Sequence, residues 1–250
     1  MAKIIAIANH KGGVAKTTSC VNIAAALAKM GRRVLLVDVD PQANLTSSFT
    51  DESKIEASIY DAMKGAPAPI MHISENLDLI PSHIDLAGAD MVFSNKIARE
   101  QILKNILDEL KAGYDYIIID TPPALGLVTI NALTAADSVI ISICAETLPL
   151  RGLVMLDEMI GDIAQSINKG LHVSGIIIAK YNRRKLDNAV IEAIREKYGD
   201  KIYKTYVRTC VSAAEAPTYR QSVLDYAPGS TVAEDYRALA KEIDKQDKNK

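Results

Sequence analysis

The chain has 250 residues, of which 48% are hydrophobic and 24% are charged, and its formal net charge is −2. This is the composition of an ordinary globular protein with one sizeable core, and so small a net charge does not by itself point to any partner. The three cysteines lack C-x-x-C spacing, which argues against a disulfide or metal framework and indicates a reducing cytosol. The first apolar run, 3–8, is far too short for a signal or membrane segment.

Short apolar runs rich in β-branched residues alternate with amphipathic helical patterns along almost the whole chain. These runs are nearly continuous, as is typical of strands covered on both faces. The predicted strands are 3–8, 33–38, 77–81, 114–120, 138–144 and 172–179. The predicted helices are 17–30, 97–111, 126–135, 151–167 and 187–197. The alternation predicts an α/β fold with a doubly wound, mostly parallel sheet and helices on both of its faces.

The pattern also predicts the domain organisation. No repeat, low-complexity tract or long linker interrupts it, so we expect a single domain over residues 1–250. Residues 41–76 are the least regular part, and we expect a loop there with a short helix around 55–63. The polar segment 244–250 predicts a frayed tail. Because the first predicted strand begins at residue 3, we expect no helix-turn-helix domain ahead of it.

The segment "NHKGGVAKTT", residues 9–18, follows the first predicted strand and opens the first predicted helix, as a phosphate-binding loop does. It departs from the usual pattern G-x-x-x-x-G-K-[ST], because His10 and Ala15 stand where that pattern has glycine. Backbone N–H groups and a helix N-terminus in such a loop attract phosphates. Lys16 is then expected to reach the β and γ phosphates and the Thr17 hydroxyl to ligate Mg²⁺. The alternative to a phosphate-binding loop is an ordinary strand–helix turn that contains glycines and has lysines on its surface.

Carboxylates end two of the predicted strands. Asp120 closes the apolar run "YIIID", the position from which Mg²⁺ is held through water. Asp38 and Asp40 end the strand that follows the loop in sequence, although either could instead cap a turn before Pro41. Carboxylates at the tips of parallel strands beside a phosphate loop indicate catalysis at the carboxyl edge of the sheet.

Longer segments of the chain resemble one family. "KGGVAKTT" resembles the deviant Walker A motif, K-G-G-x-x-K-[ST], of the ParA/MinD group of P-loop ATPases. Glycine is usual in that motif at position 15, so Ala15 is a departure. "VLLVDVDPQANLTSSF", "YDYIIIDTPPALGLVTINALTAADSVII" and "EAPTYRQSVLDYAPGSTVAEDYRALAKEI" are similar to the ParA/Soj branch. The resemblance covers nearly the entire chain.

The resemblance implies roles for individual residues. Lys11 matches the signature lysine that crosses a dimer interface to the partner's nucleotide, and Lys16 matches the phosphate lysine. Asp40 matches the carboxylate that positions the attacking water. Thr17 and Asp120 match the Mg²⁺ ligand and the Walker B carboxylate, with Asp38 supporting a Mg²⁺-bound water or the loop geometry. The loop residues expected around the nucleotide are Lys11, Gly12, Gly13, Val14, Ala15, Lys16, Thr17 and Thr18, with Tyr181 and Asn182 as candidates for the base.

Positive charge is concentrated late in the chain. Residues 180–208 carry nine basic and four acidic side chains, so this segment is +5 while the rest of the chain is −7. Such a segment is often only a solvated face. The ParA/Soj resemblance implies non-specific DNA binding by the ATP-bound dimer, through contacts to phosphates without base readout. The candidate residues are Arg183, Arg184, Lys185, Arg208 and Arg220.

The motifs and the resemblance together predict a cytoplasmic, nucleoid-associated partition ATPase that segregates a chromosome, plasmid or mobile element. The resemblance implies that it uses ATP with Mg²⁺, releases ADP and dimerises with ATP. The resemblance implies a ParB-like partner that stimulates slow hydrolysis. One alternative is a MinD-like membrane-associated ATPase, which needs a C-terminal helix with more bulky apolar residues than this chain has. An iron–sulfur carrier would need paired cysteines. A nucleotide-binding adaptor with little turnover is a further alternative because of Ala15.

Overall fold

The computed structural model describes residues 2–145 and 150–248. These residues form one seven-stranded sheet with the strand order β3-β4-β2-β5-β1-β6-β7. All neighbouring strands are parallel except β3, which runs antiparallel to β4 at one edge. The strands are β1 (Lys3–Ala8), β2 (Val34–Asp38), β3 (Met71–Ser74), β4 (Leu77–Ile80), β5 (Tyr116–Asp120), β6 (Ser138–Cys144) and β7 (Val173–Ala179). The predicted mostly parallel α/β sheet is confirmed.

Strand β3 is the one strand of this sheet that the sequence did not predict. Its residues alternate between half-buried and exposed, and it lies at the sheet edge next to β4. It therefore lacks the continuous apolar run by which the six other strands were recognised. The short edge strand pairs antiparallel because residues 75 and 76 alone separate it from β4.

Helices cover both faces of the sheet, as predicted. The described residues form the α-helices α1 (Lys16–Lys29), α2 (Asn44–Ser47), α3 (Ile59–Lys64), α4 (Ala89–Val92), α5 (Ile102–Leu110), α6 (Leu127–Ala135), α7 (Leu150–Ser166), α8 (Lys185–Tyr198), α9 (Val211–Glu215), α10 (Val223–Tyr226) and α11 (Thr231–Lys248). One core layer packs α3, α5, α6, α7 and α8 on the sheet, and the other packs α1 and α11 on its opposite face.

The start of α5 and the end of α11 differ from the prediction by more than two residues. The helix predicted from residue 97 begins at Ile102, because Ala98 is left-handed (φ +54) and Ile97 is 94% exposed. The predicted frayed tail at 244–250 was wrong for its first five residues, since α11 continues to Lys248. Asp244 is buried and accepts hydrogen bonds from the Arg32 guanidinium at 2.9 and 3.1 Å, which ties the last turns of α11 to the chain after α1. Residues 249 and 250 lie outside the described residues.

The strand order brings the functional segments together. β1 lies between β5 and β6, and β5 lies between β1 and β2. The loop after β1, Asp120 at the end of β5 and Asp38 at the end of β2 therefore meet at the carboxyl edge of the sheet, where α/β folds bind their ligands. Asp38 and Asp120 are direct register partners.

Candidate nucleotide site

The loop between β1 and α1, residues 9–15, is held from both sides by hydrogen bonds. The Asn9 side chain donates to the carbonyl of Ser142 at 2.7 Å and accepts the backbone N–H of Lys11 at 3.0 Å. His10 lies 3.0 Å from the carbonyl of Pro123 through Nδ1. Gly12 and Gly13 are exposed at the tip of the loop, and Gly13 has a positive φ of +74°. The loop is thus fixed at its base and open at its tip.

Ala15, the residue that departs from the family motif, has a left-handed backbone with φ +62° and ψ +29°. It caps α1, and its carbonyl accepts the backbone N–H of Ser19 at 2.9 Å. Glycine adopts this conformation freely, whereas any residue with a Cβ is disfavoured there by about 1–2 kcal/mol. The positive φ explains why glycine is usual at this position, and it makes Ala15 a residue that the surrounding structure must hold in place.

Lys16 begins α1 and is only 6% exposed. Its ammonium donates to the carbonyl of Lys11 at 3.1 Å, so it lies back under the loop. Burial lowers the pKa of Lys16, while the carboxylates of Asp120 and Asp40 oppose that effect. The side chain is therefore a desolvated cation at the floor of the loop, beside the two carboxylates that the sequence placed in the same site.

Asp120 is fully buried, and burial followed by repulsion from Asp38 raises its pKa to about 8. The Thr17 hydroxyl and the Lys16 ammonium act in the opposite direction. One oxygen, Oδ1, accepts a weak hydrogen bond from Cys20 Sγ at 3.5 Å, and the other, Oδ2, has no hydrogen-bond partner among the described residues. A buried carboxylate oxygen of this kind needs a donor, and a water of a hydrated Mg²⁺ beside Thr17 would supply one.

No group of three or more His, Cys, Asp or Glu side chains in the described ranges could hold a metal ion by itself. Mg²⁺ typically uses one or two protein oxygens and completes its shell with substrate phosphates and water. The Thr17 hydroxyl and the unpartnered oxygen of Asp120 fit that pattern. The residues present therefore fit Mg²⁺ that arrives with a nucleotide, not a resident metal centre.

Asp38 serves the geometry of the following loop. It accepts hydrogen bonds from the Thr46 backbone N–H and hydroxyl at 2.9 and 2.7 Å, and from the backbone N–H of Asp40 at 3.1 Å. Burial raises its pKa to about 6, and these hydrogen bonds limit the rise. Both of its oxygens are engaged, so of its two proposed roles the structure favours support of the loop over contact with a Mg²⁺-bound water.

Asp40 is 8% exposed and lines a cavity, with one oxygen accepting the Gln42 backbone N–H at 3.0 Å. The cavity has a volume of about 780 Å³ and is the size of a small-ligand site. Its near wall contains Gly12, Gly13, Ala15, Lys16, Thr17 and Thr18. The structure thus brings the predicted loop and the predicted water-positioning carboxylate to one cavity.

The far wall of the cavity was not foreseen as a nucleotide contact. It is formed by Lys180 and by residues of the segment 207–221, including Thr209, Cys210, Pro217, Thr218 and Gln221. Neither Tyr181 nor Asn182 lines the cavity, so their prediction as base contacts is not supported. The backbone N–H of Tyr181 donates to the carbonyl of Val207 at 3.0 Å, and the Tyr181 ring packs edge-on against Tyr206. Tyr181 therefore supports the far wall without lining the cavity itself. In the sequence, the segment "EAPTYRQ" (215–221), which is similar to the ParA/Soj branch, was the signal that could have indicated this wall.

The proposed DNA-contact residues divide into two groups. Arg183, Arg184 and Lys185 are exposed at the start of α8 and form no ion pair with the described residues. Arg208 instead donates to both oxygens of Asp235, at distances between 2.6 and 3.2 Å, and lines the cavity. Arg220 donates to Asp51 at 2.8 Å on the surface. The three residues at the start of α8 are the ones whose charge is not already matched.

The chain is similar to known proteins over nearly its whole length. A family model described as "AAA domain" matches residues 2–173. The chain is 44% identical over 249 residues to the sporulation initiation inhibitor protein Soj of Bacillus subtilis, covering 97% of this chain and 98% of that protein. It is 35% identical over 250 residues to the chromosome partitioning protein ParA of Caulobacter vibrioides, covering 96% and 93%. The chain belongs to the ParA/Soj family of P-loop ATPases.

A solved structure shares this fold over nearly the whole chain. Cobyrinic acid a,c-diamide synthase from Mycobacterium smegmatis, with bound ADP and magnesium, superposes with a TM-score of 0.86 at 35% identity. The match covers 97% of this chain and 94% of that one. The ParA/Soj family membership and the P-loop fold predicted from the sequence are therefore both confirmed.

Proposed function

We propose that this protein is a DNA-partition ATPase that hydrolyses ATP with Mg²⁺ in the cavity beside the residue 9–15 loop. The observation that carries the proposal is that Lys16 and Asp40 line one cavity, while the buried Asp120 lies close enough to Lys16 to oppose the lowering of its pKa. The Caulobacter vibrioides relative named for chromosome partitioning, and the ADP and magnesium bound in the Mycobacterium smegmatis structure, support it.

Each residue of the site has a separate role in phosphoryl transfer. Backbone N–H groups of the loop and the N-terminus of α1 bind the phosphates, and Lys16 neutralises their charge. Mg²⁺, when bound with the nucleotide, offsets further phosphate charge, and the Thr17 hydroxyl and Asp120 are the groups that would hold it and its water. Asp40 accepts a hydrogen bond from the attacking water and orients it toward the γ phosphate.

Lys11 is the residue through which nucleotide binding would be coupled to dimerisation. Its side chain is exposed at the open tip of the loop, while its backbone N–H and carbonyl are fixed by Asn9 and Lys16. A fixed backbone with an exposed ammonium suits a residue that reaches the nucleotide of a second copy of the chain, where it would stabilise transition-state charge. ATP binding thereby favours the homodimer.

DNA binding by the dimer is assigned to the start of α8. Arg183, Arg184 and Lys185 supply positive charge there, and contact with phosphates alone would make binding independent of sequence. Reversing all three to Glu should weaken binding on any duplex and make the dependence of log affinity on log salt shallower by about 2.7, if each contacts one phosphate. Reversing Lys54, Lys64 and Lys169, which are exposed elsewhere, changes the net charge equally and is the control.

Two rival functions make different predictions. In a MinD-like protein the apolar face of the last helix would bind a membrane, but here Val232, Tyr236, Leu239 and Ile243 of α11 are buried, in a core layer shared with α1. No helix of the described chain is apolar and long enough to cross a bilayer. The name of the Mycobacterium smegmatis structure suggests amide synthesis on the same fold, yet the identity to Soj is higher.

The proposal is tested by measuring ATP hydrolysis with Mg²⁺, alone and with duplex DNA and a ParB-like protein. We expect slow hydrolysis that rises when both are added and no nucleotide binding by Lys16→Ala. Lys29→Ala, at the exposed end of the same helix, is the control and should behave as wild type. Hydrolysis by Lys16→Ala at the wild-type rate, or stimulation by cobyrinic acid in place of DNA and partner, would refute the proposal.

A further inference from the structure

Ser142, a buried residue of β6, holds the phosphate loop at two points. It is fully buried near the end of β6, an interior strand of the sheet, beside the point where β1 ends and the loop begins. Its carbonyl accepts the Asn9 side chain at 2.7 Å, and its hydroxyl donates to the carbonyl of Val14 at 2.6 Å. One residue, 128 positions away in sequence from Val14, therefore fixes both the start and the end of the loop.

The hydrogen bond to Val14 determines where the next N–H points. The described residues contain no cis peptide bond, so the Val14–Ala15 peptide is trans. In a trans peptide the carbonyl and the N–H point in opposite directions. Because the carbonyl of Val14 is tied down to β6, the N–H of Ala15 is directed away from the sheet, on the side where Ala15 lines the nucleotide cavity.

The same hydrogen bond bears on the left-handed backbone of Ala15. A non-glycine residue at φ +62° stays there only when its surroundings fix the peptides on either side of it. The Ser142 hydroxyl fixes the preceding peptide, and the α1 hydrogen bond from Ser19 to the Ala15 carbonyl fixes the following one. Without the hydroxyl, the first of these constraints is absent.

We infer that Ser142 is a positioning residue, which presets the N–H of Ala15 toward a phosphate group through the carbonyl of Val14. The inference rests on the proposed nucleotide binding and deepens it. It assigns to this chain a remote hydroxyl that compensates for the missing glycine at position 15. Ser142 touches no nucleotide itself, because it acts from beneath the loop.

The experiment compares Ser142→Ala with Ser138→Ala. Ser138 lies on the same strand, is also fully buried, and its hydroxyl has no hydrogen-bond partner within the described residues. Dissociation constants for ADP with Mg²⁺ are measured by calorimetry, and free energies of unfolding are measured without nucleotide. Ser142→Ala should weaken ADP binding about five-fold, the value of one ordinary hydrogen bond, while Ser138→Ala should change it less than about two-fold.

A double-mutant cycle with Ala15→Gly separates positioning from a general structural role. Glycine tolerates the left-handed backbone without help, so in the Ala15→Gly background Ser142→Ala should weaken ADP binding less than about two-fold. An equal loss in both backgrounds, or a loss no larger than that of Ser138→Ala, would overturn the inference. If the wild type bound neither ADP nor ATP, the proposed function would fall first and the inference with it.

Discussion

Replacing Ala15 by glycine should stabilise the protein, although Ala→Gly substitutions normally do the opposite. The reason is the left-handed backbone of Ala15, with φ +62° at the start of α1. Glycine has no Cβ to collide with the neighbouring carbonyl in this conformation. The half-buried methyl group of Ala15 packs on the core layer around α1, and losing it takes back part of the gain.

The backbone part of the effect follows from two opposing terms. Relief of the left-handed conformation is worth about 1–2 kcal/mol. The greater freedom of glycine in the unfolded chain costs about 0.4–1 kcal/mol. The midpoints of these ranges leave a net stabilisation of about 0.8 kcal/mol, a shift of about 2–3 °C in the unfolding midpoint for a chain of this size, and the lost methyl contact lowers it further.

Two control substitutions isolate the backbone term. Ala98 is also left-handed (φ +54°) but exposed, so Ala98→Gly should stabilise at least as much as Ala15→Gly. Ala238 is exposed in the middle of α11, where glycine should destabilise by about 0.5–1 kcal/mol. The unfolded-state term is the same in all three variants, so the differences between them report the folded backbone alone.

The assay is urea unfolding without nucleotide, together with calorimetric titration of ADP. We expect ADP to bind both wild type and Ala15→Gly, because the N–H of Ala15 can donate whatever its side chain. If Ala15→Gly and Ala238→Gly were destabilised alike, the left-handed strain would be refuted. If only the glycine variant bound nucleotide, Ala15 would be a disabling change and the ATPase proposal would fail.

Three further substitutions test the site. Lys11→Ala should keep ADP binding by the monomer and lose ATP-dependent dimerisation or hydrolysis, and unchanged hydrolysis by a normal dimer would exclude its role across the interface. Asp40→Ala should accumulate an ATP-bound dimer in gel filtration, because water positioning is lost while the phosphate loop persists; a monomer that hydrolyses normally would show that Asp40 was misassigned. The pKa of Asp120 is raised to about 8 from an ordinary 3.8, mainly by burial, so its protonated form stabilises the fold. That contribution is complete below about pH 4 and is lost as pH rises to about 8. In EDTA, Asp120→Asn should therefore gain stability relative to wild type between pH 5 and pH 8, and a constant difference would contradict the raised pKa.

The sequence predicted the sheet well because six of its strands are covered on both faces. Burial on both faces demands continuous apolar runs, and such runs are visible in a single sequence. β3 was not predicted, because an edge strand with one exposed face has no continuous apolar run. The end of α11 was wrongly predicted to fray because its composition is polar. The Arg32–Asp244 pair that holds it joins residues 212 positions apart, so no local pattern indicates it.

The site was predicted in proportion to how local its signals are. Lys16 and Thr17 lie in one motif, Asp120 ends a recognisable strand, and Asp40 lies two residues after the end of another, so the parallel topology brings them together. Tyr181 and Asn182 were expected to contact the base because they follow β7, but the chain turns there and residues 207–221 form the cavity wall instead. The "EAPTYRQ" segment marks part of that wall as similar to the family, but its place beside the cavity depends on how α9 and the residues after it pack, which the segment alone does not indicate.

Ala15 shows why a departure from a motif need not be a defect. Compared with the family motif, the sequence lacks a glycine at position 15, where the loop ends and the helix begins. In the fold, the unfavourable backbone of that alanine lies one peptide away from a hydrogen bond to Ser142, a residue of a different strand. A hydrogen bond is worth about 1 kcal/mol net, which is comparable to the cost of the left-handed alanine. The two residues therefore have to be judged as a pair. An alanine at position 15 is compatible with a preset phosphate loop because the serine fixes the peptide that the alanine alone would leave free to turn.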